Sequence, residues 1–495
     1  MISDLDTLEI KINVYFHPVG HGLFSSIDFN LGNNRSGTEE RLSVIYDCGS
    51  LSRTDIIERA ITDYISGRNN GSSNRRNNVD LLILSHMHKD HVIGMPFLLS
   101  KIRANVVMLP YLTPLERLII AITWVKSISL WDRYDQWYYE FLRDPVSAFF
   151  DWDGIEPPFK IIFLTSSRRG HHYEEFDSPP LEPPPKPENY NGKRILENLP
   201  EYIEGLEKRF DVSHLPMDLT VSESARELES ESFRDYMDRG FIEIRRAYGY
   251  SSIMLGTSPI WIVYPYVNQA SEDALEKFVR CVEKLAGKNV HHLKSDDLNQ
   301  LLMNGNSINK LKECYKYIQS DINYTSLVTS QFPALQLEKF LMKARGCPLR
   351  NTSFYNWSKA HGILASHCMT ISESQDVFYY LVPHSPDSPA ILLTGDIPLK
   401  TTSIWKEFES YHVWLTNRIE IAQIPHHGAW SGFNRGLEKF LRGSIGVISH
   451  GYRYRNNPHP RVIMNLSTYT KQLYSCNDHC GTKFEISNGY LLFSH

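Results

Sequence analysis

The feature that most limits the fold of this chain is one short stretch: Leu81-Leu82-Ile83-Leu84-Ser85, then His86-Met87-His88-Lys89-Asp90-His91, then Val92-Ile93-Gly94-Met95. An apolar run without alternation suits a strand covered on both faces, as in a sheet with helices or a second sheet against it. The residues after His91 read as a helix. Four side chains of metal-ligand type, His86, His88, Asp90 and His91, thus fall within six residues where a strand gives way to a helix. Residues two apart at a strand end point the same way, so His86 and His88 can grip one cation from one side. Asp90 and His91, in the turn, can grip a second. Clustered imidazoles are costly to desolvate unless a metal or a carboxylate satisfies them, which argues against an inert histidine loop.

The rest of the chain fits an α/β class. KINVYFHPV and LFSSIDF alternate around Gly20-His21-Gly22, and RLSVIYDCG runs apolar into Asp47 before stopping at Gly49. From residue 111 to about 320 the character changes. LERLIIAITWVKSISLWDRYDQWYYEFL has helical spacing with many Trp and Tyr, SPPLEPPPKPENYNG is proline-rich, and helix-like segments recur, with one strand candidate at IWIVYPYV. Short strands return from about 365. These features predict a β-rich first half at 1–110, a mostly helical insertion or cap at 111–320, and a second half at 321–495, with a possible further insertion at 330–390.

Composition narrows the function classes. A formal net charge of −5, from 52 basic and 57 acidic residues, excludes a non-specific nucleic-acid binder working by overall charge. A polyanion site must then be local or made by metal ions. No run approaches the roughly 18 apolar residues of a membrane span, and the N-terminus MISDLDTLEIKINVYF is acidic, so a cytoplasmic location is expected. The seven cysteines are scattered and odd in number, unlike a disulfide framework. Cys476 and Cys480, flanking His479, are expected to be ordinary loop residues.

His-x-His-x-Asp-His after an apolar strand resembles the signature of the metallo-β-lactamase superfamily, whose fold is an αββα sandwich. Asp47 in VIYDCGS resembles the family's first motif, an aspartate that supports ligand histidines by hydrogen bonding. Asp396 in ILLTGDI resembles the aspartate that bridges two metals. AQIPHHGAWSG resembles the last motif, with His426 the expected ligand and His427 beside it. VGHGLFSSI, LLTGD, PHHG and ISHGYRYRNNPHP together resemble the soluble hydrolase domain of the bacterial DNA-uptake channel family called ComEC. This likeness covers about residues 11–110 and 390–495; the middle shows none, and the membrane channel of that family has no counterpart here.

The resemblance implies two divalent ions, Zn²⁺ or Mn²⁺, that share a hydroxide and hold a phosphoryl group. Asp396 would bridge, His86 and His88 would hold one metal, and Asp90 and His91 the other, completed by His426. For the station that is a third histidine in much of the superfamily, the DNA-uptake pattern favours Asn323 and Ser326 in Asn-Tyr-Thr-Ser-Leu-Val, with His367 the competing ligand. His427 or His459 would protonate the leaving oxygen. Tyr452, Arg453 and Arg455 are candidates for anion contacts, and His17 and His21 for support of the site. The expected activity is that of a phosphodiesterase or nuclease acting on DNA or RNA. Hydrolysis of a small phosphodiester such as a cyclic nucleotide is the second expectation. A third is an interaction protein that uses the insertion as a partner surface. Trp124, Trp131, Trp137, Tyr138 and Tyr139 offer either base-stacking faces or, at helical spacing, core.

Overall fold

The computed structural model describes residues 8–33, 38–69, 78–124, 132–166, 210–218, 229–255, 258–268, 272–288, 310–311, 314, 325–333, 340–349, 376–382, 390–451 and 457–488. The first part runs β1 (Leu8–Phe16), β2 (Phe24–Asn33), β3 (Thr38–Cys48), α1 (Thr54–Asn69), β4 (Asn78–Ile83), α2 (Lys89–Val92), α3 (Met95–Leu99) and β5 (Arg103–Pro110). The middle gives α4 (Pro114–Trp124), α5 (Arg133–Arg143), α6 (Pro145–Phe150), β6 (Lys160–Thr165), β7 (Phe210–Asp211), α7 (Glu231–Asp238), β8 (Ile242–Arg246), β9 (Ser251–Leu255), β10 (Ser258–Val267) and α8 (Glu272–Ala286). Then follow β11 (Leu327–Pro333), β12 (Phe340–Pro348), β13 (Asp376–Val382), β14 (Ala390–Leu393), α9 (Thr402–Tyr411), β15 (Ile419–Gln423), α10 (Arg435–Phe440), β16 (Ile445–Ser449), α11 (Pro460–Tyr469), β17 (Gln472–Cys476) and β18 (Thr482–Asn488).

The protein is mixed α/β. Among the described residues 18 strands form one hydrogen-bonded network that divides into two sheets. In the first, β3, β4, β5, β6 and β8 run parallel, with β2, β1, β18, β12 and β13 continuing antiparallel. The second has β14 to β17 parallel, extended antiparallel by β11, β10, β9 and β7. Strand β12 belongs to both: Phe340 to Arg345 pair with β18, and Cys347 and Pro348 with β17.

Side-chain alternation along the apolar strands builds three cores. On β4, Leu81 and Ile83 point between the sheets, where they join Trp261, Val263, Ile391, Leu393, Ile421 and Val447. Leu82 and Leu84 point the other way, against Ile57, Ile61, Trp137 and Phe141 of α1 and α5. The second sheet repeats this: Leu392, Ala422 and Ile448 face Trp405, Phe408, Leu437 and Leu466 of α9, α10 and α11. Both faces of each sheet are thus dry, which is why β4 and β14 read as unbroken apolar runs. Each such side chain contributes about 1.5–3 kcal/mol by leaving water.

Residues 111–320 differ from the expected mostly helical insertion. Among the described residues β6 and β8 extend the first sheet and β9 and β10 the second, while α4, α5 and α6 pack on the first sheet's outer face. Among the described residues the middle therefore contributes strands to both sheets. Trp137 and Tyr138 are core, with no exposed face for stacking. The cysteine expectation is also corrected: Cys281 pairs with Cys314, and Cys347 with Cys480, while Cys48 and Cys476 are free and buried. A 133-residue separation hides the second pair from a spacing argument. No helix among the described residues is long and apolar enough to cross a membrane.

Candidate metal centre

Parallel strands within each sheet end on one edge, and this edge gathers the polar residues that close the strands. Asp47 closes β3, Ser85 follows β4, Asp396 follows β14, and His426 and His427 follow β15. The two sheets are tied there. Tyr46 Oη donates to Leu327 O at 2.6 Å and Leu393 O at 3.2 Å, and Leu327 N–H donates to Ser85 O at 2.7 Å. Gly395, at φ 54°, lets the loop bearing Asp396 press against Ser85; a Cβ there would lie 2.8 Å from Ser85 Cβ.

The ligand side chains are held from behind. Asp47 Oδ1 accepts from Ser85 N–H at 2.6 Å, and Oδ2 from Ser85 Oγ at 2.6 Å and His91 Nδ1 at 2.7 Å. His91 therefore carries its ring proton on Nδ1 and turns Nε2 into the cluster. His86 Nδ1 lies 2.9 Å from Ser85 Oγ, and His427 Nδ1 donates to Ser449 O at 2.9 Å, so their Nε2 atoms face inward too. His426 Nδ1 is 2.9 Å from Ser431 Oγ. The turn itself is braced by α5: Tyr138 Oη donates to Met87 O at 3.1 Å, and Lys89 pairs with Asp135.

Two groups of side chains in this cluster can hold a metal ion, with ligand atoms within 4.8 Å of one another: Asp90, His91, Asp396 and His427, and His86, His88 and Asp90. All six are buried. Nε2 of His86, His88 and His91 and Oδ1 of Asp396 have no hydrogen-bond partner among the described residues. Such atoms are rarely left unsatisfied inside a protein, and here they converge on common points, which fits a cation. The electrostatics agree. Burial, reinforced by His91 and His88, holds His86 well below the usual range, and burial pushes His88 down to about 4, so both are neutral and have free lone pairs. Burial opposes charge on His91 also, but Asp396, Asp47 and Asp90 outweigh it and raise its pKa well above the ordinary value. His427 is raised likewise, Asp396 and Asp90 overcoming burial. The cluster favours positive charge at its centre.

The pair after β15 does not divide as the motif suggests. His427 stands in the ligand group, its Nε2 3.2 Å from Asp90 Oδ2, and its burial does not suit a proton donor to a leaving group. His426 sits on the other side of Asp396, Nε2 3.8 Å from Oδ2. Adjacent residues take opposite sides because both have left-handed backbone, φ 52° and 53°, which fans their side chains apart. Ser326 is buried at the start of β11, next to Leu327 and hence beside Ser85. Asn323, His367, Tyr452, Arg453 and Arg455 lie outside the described residues. His21 packs its ring 4.4 Å from that of His427, and burial followed by His427 pushes it down to about 3. His17 is core, stacked on Phe24 with Nε2 2.8 Å from Ser26 Oγ. His459 caps α11, its Nδ1 accepting from Arg461 N–H at 3.2 Å.

Ser85, Gln423 and Ser449 escaped sequence reasoning, as did the part Tyr138 plays in bracing the turn. The nearest signal was position: Ser85 and Gln423 are single polar residues closing apolar strands. Gln423 Oε1 accepts from Thr394 N–H at 2.8 Å and Gly395 N–H at 2.9 Å, fixing the loop of Asp396. No protein-family model and no curated protein sequence matches the chain.

Proposed function

We propose that this chain is a hydrolase with the metallo-β-lactamase arrangement, a phosphodiesterase or nuclease that holds two divalent ions, Zn²⁺ or Mn²⁺. One observation carries the reading: the two oxygens of Asp396 face different histidines. Oδ1 lies 3.4 Å from His91 Nε2 and 3.8 Å from His427 Nε2, whereas Oδ2 lies 4.0 Å from His86 Nε2 and 3.8 Å from His426 Nε2. A carboxylate so placed suits a bridge, with Asp90, His91 and His427 on one side and His86, His88 and His426 on the other. The apolar cores on both faces of two sheets, with ligands at strand ends on one edge, also support the fold. Resemblance in the motifs selects a phosphodiester as substrate.

When bound by these residues, two such ions would supply polarisation of a phosphoryl group and a water of lowered pKa. The chain's own residues do the rest. Asp47, Ser85 and Ser449 set the ring tautomers so that no ligand must reorganise. His459 accepts at Nδ1 from the α11 backbone and so presents Nε2–H as a donor. Partial burial and the nearby Arg461 and Lys400 lower its pKa, which suits a hydrogen bond to a substrate oxygen better than proton transfer. The test is elemental analysis of the purified chain with a screen of single-stranded DNA, duplex DNA, RNA and cyclic nucleotides. About two metal ions per chain are expected, and Asp396→Ala or Asp90→Ala should abolish turnover while leaving the fold intact. A metal-free chain with full activity, or a metal-loaded chain inert on every phosphodiester, would overturn the proposal.

A further inference from the structure

Access to the cluster is one-sided. The side chain of His426 is 23% exposed, against 3% for His86 and Asp396, 1% for His427 and 0% for His91. A substrate from solvent therefore meets the ligands at the His426 edge.

That edge carries a cationic patch built into the same turn. Trp430 precedes Ser431, the partner of His426. Around its indole, Lys400 Nζ lies 5.6 Å and the Arg461 guanidinium carbon 6.0 Å from the ring centroid, and the His459 ring stands 5.3 Å away. Backbone bonds lock these segments to the turn: Lys400 N–H donates to Ser431 O at 3.1 Å, and His459 N–H to Gly428 O at 2.9 Å. Lys400 and Arg461 are exposed, and among the described residues no carboxylate pairs with either. In a chain of net charge −5, two unneutralised cations and an N–H donor beside a metal centre are a local exception. Cations resting over an aromatic face are held at low entropic cost and keep donors free for an anion. The indole also stacks on Phe433, ring centroids 5.4 Å apart, so it is already engaged by protein groups and is not offered as a base-stacking face.

We propose that Lys400, Arg461 and His459, gathered on Trp430, bind a phosphate of a polynucleotide strand adjacent to the one being cleaved. This rests on the phosphodiesterase reading above. Counting phosphates narrows the class: a cyclic mononucleotide has one, which the metal centre would take, so a second phosphate site serves a substrate that carries further phosphates, as every polynucleotide strand does. Phosphate contacts of this kind fix register on the strand without reading its sequence.

The test is binding of a fluorescein-labelled phosphorothioate oligodeoxythymidine, which resists cleavage, to the metal-loaded chain, followed by anisotropy across a salt series. Lys400→Gln with Arg461→Gln should weaken binding about tenfold or more at low salt, and the slope of log affinity against log salt should fall by about 0.7, for the one single-strand phosphate the patch holds. The control, Arg59→Gln with Arg280→Gln on α1 and α8, removes the same charge elsewhere and should leave affinity near that of the wild type. Equal losses in both double variants, no loss in the first, or no binding by the wild type would overturn the subsite. Wild-type turnover of bis(4-nitrophenyl) phosphate is read separately. Turnover without oligonucleotide binding keeps the reaction and removes the subsite, whereas binding lost only in the Lys400/Arg461 variant, with no diester turned over, keeps the subsite and removes the reaction.

Discussion

The two sheets bring their ligands to the same edge by different braces. In the first, a buried carboxylate, Asp47, holds the ligand turn through Ser85 and His91. In the second, a neutral amide, Gln423, holds the Asp396 loop through two backbone N–H groups. What is braced differs. The amide need only satisfy a backbone, and a charge there would stand close to Asp396 itself. The carboxylate must also decide where a histidine carries its proton, and an anion accepting from Nδ1 both fixes the tautomer and makes Nε2 a stronger donor of its lone pair. The comparison teaches that, of these two braces, the charged one stands where it must act through an imidazole.

Four experiments can break or sharpen that contrast. Asp47→Asn keeps the shape but loses the charge, and should lower metal affinity about 10–100-fold in a chelator competition. Affinity equal to wild type would mean that the neutral brace serves equally well on both sheets. Gln423→Leu leaves two buried N–H groups without an acceptor and should reduce the unfolding free energy by roughly 2 kcal/mol, with metal affinity falling less than in Asp47→Asn. The reverse ranking would undo the division between tautomer control and backbone support.

Acid tests the two halves away from the metal. Burial pushes His17, in the first half, down to about 3 and His412, in the second, down to about 4. Both are neutral in the folded chain, while the unfolded chain takes up protons below the ordinary value of 6.5. Their stabilisation is complete above that pH and is lost as pH falls toward those depressed values, at about 1.4 kcal/mol per pH unit for each histidine. Chemical denaturation at pH 6.5 and 5.5 should show this fall, and His17→Gln or His412→Gln should each flatten it by the same amount. The smallest effect belongs to α5. Tyr138→Phe removes the bond to Met87 O and should cost about 1 kcal/mol in stability, with a measurable loss of metal affinity. No change in metal affinity would confine α5 to packing.

How much of this was legible in the sequence depends on distance along the chain. The β4 turn could be read because its strand, its ligands and its helix are contiguous, and local pattern is what periodicity reports. Asp47 and Asp396 stood at the ends of apolar strands and were found through the resemblance of their motifs. The choice between His426 and His427 was not legible, since it turns on backbone dihedrals at two identical side chains. Gln423 and the bond of Tyr138 to Met87 were hidden because the partners lie 28 or more residues away. Strands β6 and β8 were lost among neighbouring helical patterns, and the cysteine pairs could not be deduced from spacing.

The left-handed backbone at the site has an evolutionary reading. Among the described residues four non-glycine positions have positive φ, and three of them, Asp47, His426 and His427, belong to the metal centre. At each, glycine would relieve the conformational penalty and remove the chemistry in one step. If the proposed function holds, a lineage released from selection for metal binding would drift toward glycine at these three places and gain foldability as it lost those side chains. Asp, His and His at these three positions are therefore a signature that can be scored in any related sequence without an assay.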